Sequence, residues 1–223
     1  MKTKLLISGI TKLLAGLGII LLLLFPVAGT WQYWQAWLFV ALLFVPMTFM
    51  GVWLYIYQPQ LLSKRLNNKE KQQQQKHVVA LSGLMFIGGF LVCGLDCRYA
   101  WSEVPIWCIV VAAVGFLIGY ALYAQVMREN AYLSRVVEVQ EGQQLIDTGL
   151  YGVVRHPMYT ATILMYLAIP VVLGSWWALI VFGLYPVLIV MRIHNEEEVL
   201  AVGLEGYTDY QNRVRWRLIP YIW

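Results

Sequence analysis

Residues 158–191 are an apolar stretch with Arg155-His156-Pro157 at its mouth and Arg192 followed by Glu196-Glu197-Glu198 at its far end. One helix crossing a bilayer uses about 20 residues. This stretch holds more than 30 and is interrupted by Pro170 and by Leu173-Gly174-Ser175. The spacing predicts two helices joined by a tight turn, a hairpin that leaves a membrane surface and returns to it with charged residues at both feet. Just upstream, Gly149-Leu150-Tyr151-Gly152 predicts a turn that brings the polar segment 138–147 against the same spot. Two polar runs far apart in sequence then become one site at the membrane surface, a geometry suited to a small ligand and a lipid-soluble partner.

Hydrophobic residues make up 60% of the 223 positions and charged residues 13%, the composition of an integral membrane protein. Further apolar runs at about 13–27, 37–57, 78–95 and 104–127 predict four spanning helices. The expected fold is therefore all-α: four transmembrane helices, the C-terminal hairpin (five to six spans in all) and a cytoplasmic amphipathic helix near 196–214. A chain of this length leaves no room for a separate soluble catalytic domain. Residues 1–127 read as a helical scaffold and 128–223 as the region carrying chemistry. The connection 63–77, with glutamines at 72–75, reads as a helix extension or a flexible loop.

Cationic residues set the orientation. Lys2, Lys4 and Lys12 precede the first apolar run; Lys64, Arg65, Lys69, Lys71 and Lys76 fill the second connection. Arg128, Arg135, Arg155, Arg192, Arg213, Arg215 and Arg217 fall on the same side if the helices alternate, and Arg98 opposes them. That asymmetry places both termini in the cytoplasm. Trp31, Tyr33, Trp34 and Trp37 then mark the outer interface. The net charge of +4 reads as basic flanks meeting anionic lipid, without the interleaved basic and aromatic patch of a nucleic-acid binder. The first run is kept as a helix, because bulky Trp31 follows Gly29-Thr30 where a leader peptide needs small residues.

Cys93, Cys97 and Cys108 read as apolar packing residues; a bridge between Cys97 and Cys108 is the other reading. His77, His156 and His194 are scattered, with no metal-ligand spacing. No Gly-x-Gly-x-x-Gly loop follows a strand, which excludes a soluble dinucleotide or methyltransferase domain, and the spans carry no transporter-like chain of acids.

Pro157 after His156 makes a sound helix start, since proline lacks the donor that is unsatisfied there. Arg155 in that setting is either a headgroup contact or part of a site. Arg192 and Glu196, four apart, share a helix face. They form either a surface ion pair of little energetic value or, with Glu197 and Glu198 crowded beside them, a seat for a cationic ligand. S-adenosylmethionine suits such a mixture: a carboxylate takes its ammonium, backbone donors or an arginine take its carboxylate, and aromatic faces hold the sulfonium or adenine. Methyl transfer is a direct displacement that alignment and water exclusion can drive without a nucleophilic serine or cysteine.

Gly149-Leu150-Tyr151-Gly152-Val153-Val154-Arg155-His156-Pro157-Met158-Tyr159, then Arg192-Ile193-His194-Asn195-Glu196-Glu197, then Gly206-Tyr207 with Tyr210, and Arg213-Val214 on to Pro220 closely resemble the isoprenylcysteine carboxyl methyltransferase family. The likeness runs in order from about Glu138 to the C-terminus. It implies a multi-helix membrane methyltransferase that binds S-adenosylmethionine at the cytoplasmic face and takes a lipidated substrate from the bilayer. Carried over by position, it implies cofactor contacts at Glu138, Gln144, Leu145, Ile146, Tyr151, Arg155, His156, Pro157, Met158, Tyr159 and Glu196. Arg192 is implied to meet the substrate carboxylate, with Arg192, Glu196 and Glu197 as the catalytic set and no metal. Gln143-Gln144 stand where the eukaryotic enzymes have a histidine–threonine pair. The short chain is similar to the bacterial-type branch, which implies a bacterial inner membrane and an acceptor that is a lipophilic small molecule or a lipidated peptide. Other readings are a phospholipid ethanolamine N-methyltransferase, an NADPH-dependent lipid reductase, and a non-catalytic membrane scaffold or transporter.

Overall fold

The computed structural model of the chain describes residues 2–67 and 73–223. Among these the regular structure is helical throughout: α1 Lys2–Ala28, α2 Trp34–Tyr57, α3 Pro59–Leu66, α4 Gln73–Tyr99, α5 Ile106–Glu129, α6 Pro157–Val172, α7 Trp176–Phe182, α8 Tyr185–Gly203 and α9 Tyr207–Arg213, with a 3₁₀ turn at Gly149–Gly152. Five stretches are long and apolar enough to cross a bilayer: α1, α2, α4, α5 and the α7–α8 segment. Their outward side chains are apolar too, Phe49, Leu84 and Val111 among them, as expected of helices whose surroundings are hydrocarbon rather than water.

Lipid supplies no hydrophobic drive for helices to associate, so close backbone approach and internal hydrogen bonds must do more of that work. Gly119 of α5 provides one such approach: a Cβ there would stand 2.7 Å from Met165 Cγ and 3.0 Å from the Ala161 carbonyl oxygen of α6. Gly94 of α4 does the same against Val27 and the Leu24 carbonyl of α1. Between these contacts lies a core rich in aromatic rings, where Phe39 meets Phe90 and Phe116 edge-on or tilted at 5.7 and 6.2 Å.

The hairpin forms as expected, with its turn at Leu173-Gly174-Ser175. Its tip reaches the loops at the far end of the bundle. The buried Tyr33 hydroxyl donates to the Leu173 carbonyl at 2.5 Å. Ser175 Oγ donates to buried Asp96, which also accepts from the Ser102 amide and hydroxyl, each at 2.7 Å. The returning arm is broken at Gly183-Leu184 and then runs on as α8 to Gly203.

Several expectations are corrected here. The single amphipathic helix over 196–214 is absent: α8 continues through Glu196, the chain turns at Gly206 with φ +78°, and α9 is only seven residues long. Tyr33 is a buried strut rather than an interface anchor, while Trp31, Trp34 and Trp37 are exposed. Lys2, Lys4 and Lys12 lie inside α1, not before it, because lysine propagates a helix well, and Lys12 Nζ donates to the Leu66 carbonyl. The helix-extension reading of 63–77 holds as far as α3 and from Gln73 onward; Lys69, Lys71 and Gln72 lie outside the described residues. Cys93, Cys97 and Cys108 are free thiols.

Candidate active site

The end of the bundle opposite the hairpin tip carries α3, the segment 130–156, α9 and the tail. Glu129, the last residue of α5, fixes the first piece: its carboxylate accepts from the Leu150 amide at 2.9 Å, seating the 3₁₀ turn. Gly149 adopts φ +59° there, and a Cβ would meet the Glu129 carboxylate at 2.6 Å. The Asn130 amide then donates to the Tyr151 hydroxyl at 2.9 Å, and the Tyr210 hydroxyl donates to the Tyr151 carbonyl at 2.7 Å. Tyr151 is thereby held between α5 and α9.

The tail folds back over the α6 start. The Arg155 and His156 amides donate to the Trp216 and Arg217 carbonyls, both at 2.9 Å, and Thr160 Oγ1 donates to the Leu218 carbonyl at 2.7 Å. Beneath this crossing Glu197 gathers three cations or potential cations. Arg155 Nε donates to Oε1 at 2.8 Å, His156 Nε2 stands 3.2 Å from the same oxygen, and Arg217 Nε reaches Oε2 at 2.9 Å. Arg155 is buried, and its Nη1 is further occupied by the Val214 and Arg215 carbonyls at 2.7 and 3.0 Å. A buried charge needs such pairing and hydrogen bonding to be tolerated.

On the neighbouring face of α8, Arg192 and Glu196 are bridged by a phenol. Arg192 Nε donates to the Tyr159 hydroxyl at 2.8 Å, and that hydroxyl donates to Glu196 Oε2. Arg192 Nη2 also donates to the Arg135 carbonyl at 2.7 Å.

These pieces enclose a cavity that is partly open to solvent. Glu138, Gln144, Leu145 and Ile146 from the polar segment line it, with Tyr151, Arg155, His156, Pro157, Met158 and Tyr159 from the α6 start and Arg192 and Glu196 from α8. Glu197 does not line it and stands behind the wall instead. Sequence reasoning assigned no role to Tyr207 and Tyr210, although both lie in the motif it noted; Asn130 and Tyr132 at the end of α5 carried no such signal. All four line the cavity. Arg217 was equally unmarked.

Tyr207 tests whether a cofactor fits. Its ring is buried, yet its hydroxyl has no hydrogen-bond partner, a costly state that a bound polar group relieves. Burial and the nearby negative charge of Glu197 push the phenol's pKa well up, so it remains a neutral O–H. An acidic group in Glu196, a neutral donor in Tyr207 and apolar faces in Leu145, Ile146 and Leu200 suit a ligand with charged and aromatic parts. Among the described residues there is no group of three or more His, Cys, Asp or Glu arranged to hold a metal.

No curated protein matches the chain. Residues 107–203, from α5 through α8, match the family model of the phospholipid methyltransferases. The fold is similar to that of the eukaryotic intramembrane Ras methyltransferase ICMT (isoprenylcysteine carboxyl methyltransferase), with a TM-score of 0.59, 20% identity, and coverage of 96% of this chain and 77% of that one. The chain has an ICMT-like membrane fold, and its segment 107–203 is similar to the phospholipid methyltransferases. The cavity described above lies largely within the matched segment. A second recess is lined by Val45, Pro46, Phe49, Trp53, Ile56 and Tyr120 of α2 and α5. It is almost wholly apolar and faces the surroundings of the bundle.

Proposed function

We propose that the protein transfers a methyl group from S-adenosylmethionine to the carboxylate of an isoprenylcysteine-like lipophilic acceptor at the cytoplasmic membrane face. The observation that carries this reading is the juxtaposition, across one tyrosine hydroxyl, of a guanidinium and a carboxylate at the wall of the cavity: Arg192, Tyr159 and Glu196. Bound there, S-adenosylmethionine supplies a methyl group on a positive sulfur, ready for in-line displacement. Glu196 and Glu138 offer anionic contacts for its ammonium, Tyr207 a donor, and Tyr151, His156, Pro157 and Met158 the surfaces that exclude water. Arg192 orients the acceptor carboxylate, which is already ionised near neutral pH and needs no base. Glu197 positions His156 and Arg155 without touching either substrate. The division into a scaffold at 1–127 and a chemical region at 128–223, and the orientation with both termini inside, belong to the same reading. The apolar recess between α2 and α5 suits the acceptor's hydrocarbon chain.

The phospholipid methyltransferase match of 107–203 favours a second reading, N-methylation of ethanolamine headgroups. An amine must lose a proton before or during transfer, so that reaction calls for an acceptor such as Glu196 or His156. Its rate falls at low pH as the amine is protonated, whereas carboxylate methylation holds its rate down to the acceptor's own pKa.

Calorimetry on the protein in phosphatidylcholine nanodiscs tests the proposal, with S-adenosylmethionine, S-adenosylhomocysteine and NADPH as titrants. Binding of the first two and not the third is expected. Binding of NADPH alone would move the protein to the reductases, and silence from all three would leave a scaffold.

A further inference from the structure

Arg65, near the end of α3, stands behind the cavity wall against Ser134 and Met158, and the proposed function gives it no task. It is partly buried. Nη1 donates to the Ser134 carbonyl at 3.3 Å and lies 3.9 Å from Met158 Sδ; Nη2 donates to the Tyr123 hydroxyl, and the group stands 5.4 Å from the Tyr123 ring centre. All of these partners are neutral, and no carboxylate of the described residues pairs with it. Two of its five N–H donors are spent on oxygen.

Its placement mirrors that of Arg192. Arg65 holds the Ser134 carbonyl and Arg192 the next carbonyl, Arg135, and each also donates to a phenol, Tyr123 or Tyr159. Two guanidiniums from α3 and α8 are therefore tied to one dipeptide, Ser134-Arg135, whose first residue lines the cavity with Met158. On the membrane side, the Tyr123 ring lies 6.1 Å from Tyr120, which lines the apolar recess. A partly desolvated arginine without a counter-ion is costly unless an anion joins it, and a guanidinium fork matches the two oxygens of a carboxylate or phosphate.

We propose that Arg65 and Arg192 together form a clamp for the oxyanion of a membrane amphiphile, so that the acceptor is anionic and is gripped from two helices. This deepens the proposed function and rests on it for the identity of the anion as the acceptor's own carboxylate. The same chemistry serves a lipid phosphate.

The test measures binding to the full chain in phosphatidylcholine nanodiscs saturated with S-adenosylhomocysteine. The probes are N-acetyl-S-farnesylcysteine, its neutral carboxamide and farnesyl phosphate. Wild type should bind an anionic probe at least tenfold more tightly than the carboxamide. R65A should remove most of that preference, about a tenfold loss given the usual strength of hydrogen bonds to charged groups, with carboxamide binding and S-adenosylhomocysteine affinity unchanged. R65K should keep part of it, and R65Q serves if R65A does not fold. An undiminished preference in R65A and R65Q, or none in wild type, overturns the clamp. Preference for the phosphate alone keeps the clamp and defeats the carboxylate acceptor. An Arg65-dependent preference in a protein that binds no S-adenosylhomocysteine keeps the clamp and defeats the methyl donor.

Discussion

Glu196 and Glu197 are chemically identical neighbours whose places in the molecule differ by one step of helix rotation. Glu196 faces the cavity through Tyr159, while Glu197 is buried among Arg155, His156 and Arg217. Glu197→Gln should strip charge from that node and cost about 3–5 kcal/mol, the usual penalty for breaking a buried pair, read as a large fall in melting temperature. Glu196→Gln should leave melting nearly unchanged while reducing S-adenosylhomocysteine binding at least tenfold. Equal melting losses in the two variants would contradict the separate roles. Tyr207→Phe deletes a buried hydroxyl that has no partner, so the ligand-free protein should melt no lower, whereas cofactor affinity should fall roughly fivefold to tenfold. Periodicity alone gives Arg192 and Glu196 a shared face, and their link is legible in that sense. The phenol between them is not, because Tyr159 arrives from another helix. The partnership of Glu197 with Arg217 was hidden for a similar reason: the chain joining them turns at Gly206 and crosses irregular backbone whose path no periodicity describes.

Helices were the most legible elements, since apolar length alone marks a span. Their ends were less so. The expected 196–214 helix failed because carboxylate-rich α8 keeps going until Gly203 and a left-handed glycine, Gly206, then turns the chain. Tyr33 looked like an interfacial ring because nothing local reveals that its hydroxyl meets the hairpin tip 140 residues later. Packing between elements is carried by Gly119, where added bulk has nowhere to go. Gly119→Leu should overpack the α5–α6 contact and cost at least 1–3 kcal/mol. Gly115→Leu, one turn earlier, finds its nearest neighbour, Leu164, 4.0 Å from a Cβ and should be tolerated. Thermal melting of both variants in the same detergent separates the two; similar melting would show that α6 can shift away.

At the scale of the molecule, the bundle has a plain end and an elaborate end. The plain end holds the hairpin tip, Asp96 and the exposed Glu103; the elaborate end holds α3, the exposed Ser63 and the cavity. With all native cysteines removed, Ser63→Cys should react with an impermeant thiol reagent only from the cytoplasmic side and Glu103→Cys only from the other. Reversal would invert the orientation and place the cavity outside. The folding back of 214–218 onto Arg155, His156 and Thr160 has a consequence for biogenesis. Every spanning helix is synthesised before the segment that closes the Glu197 node. A nascent chain can therefore be threaded fully into the bilayer while the wall behind the cavity is still unbuilt, so the site takes its final shape only in protein whose insertion is already complete.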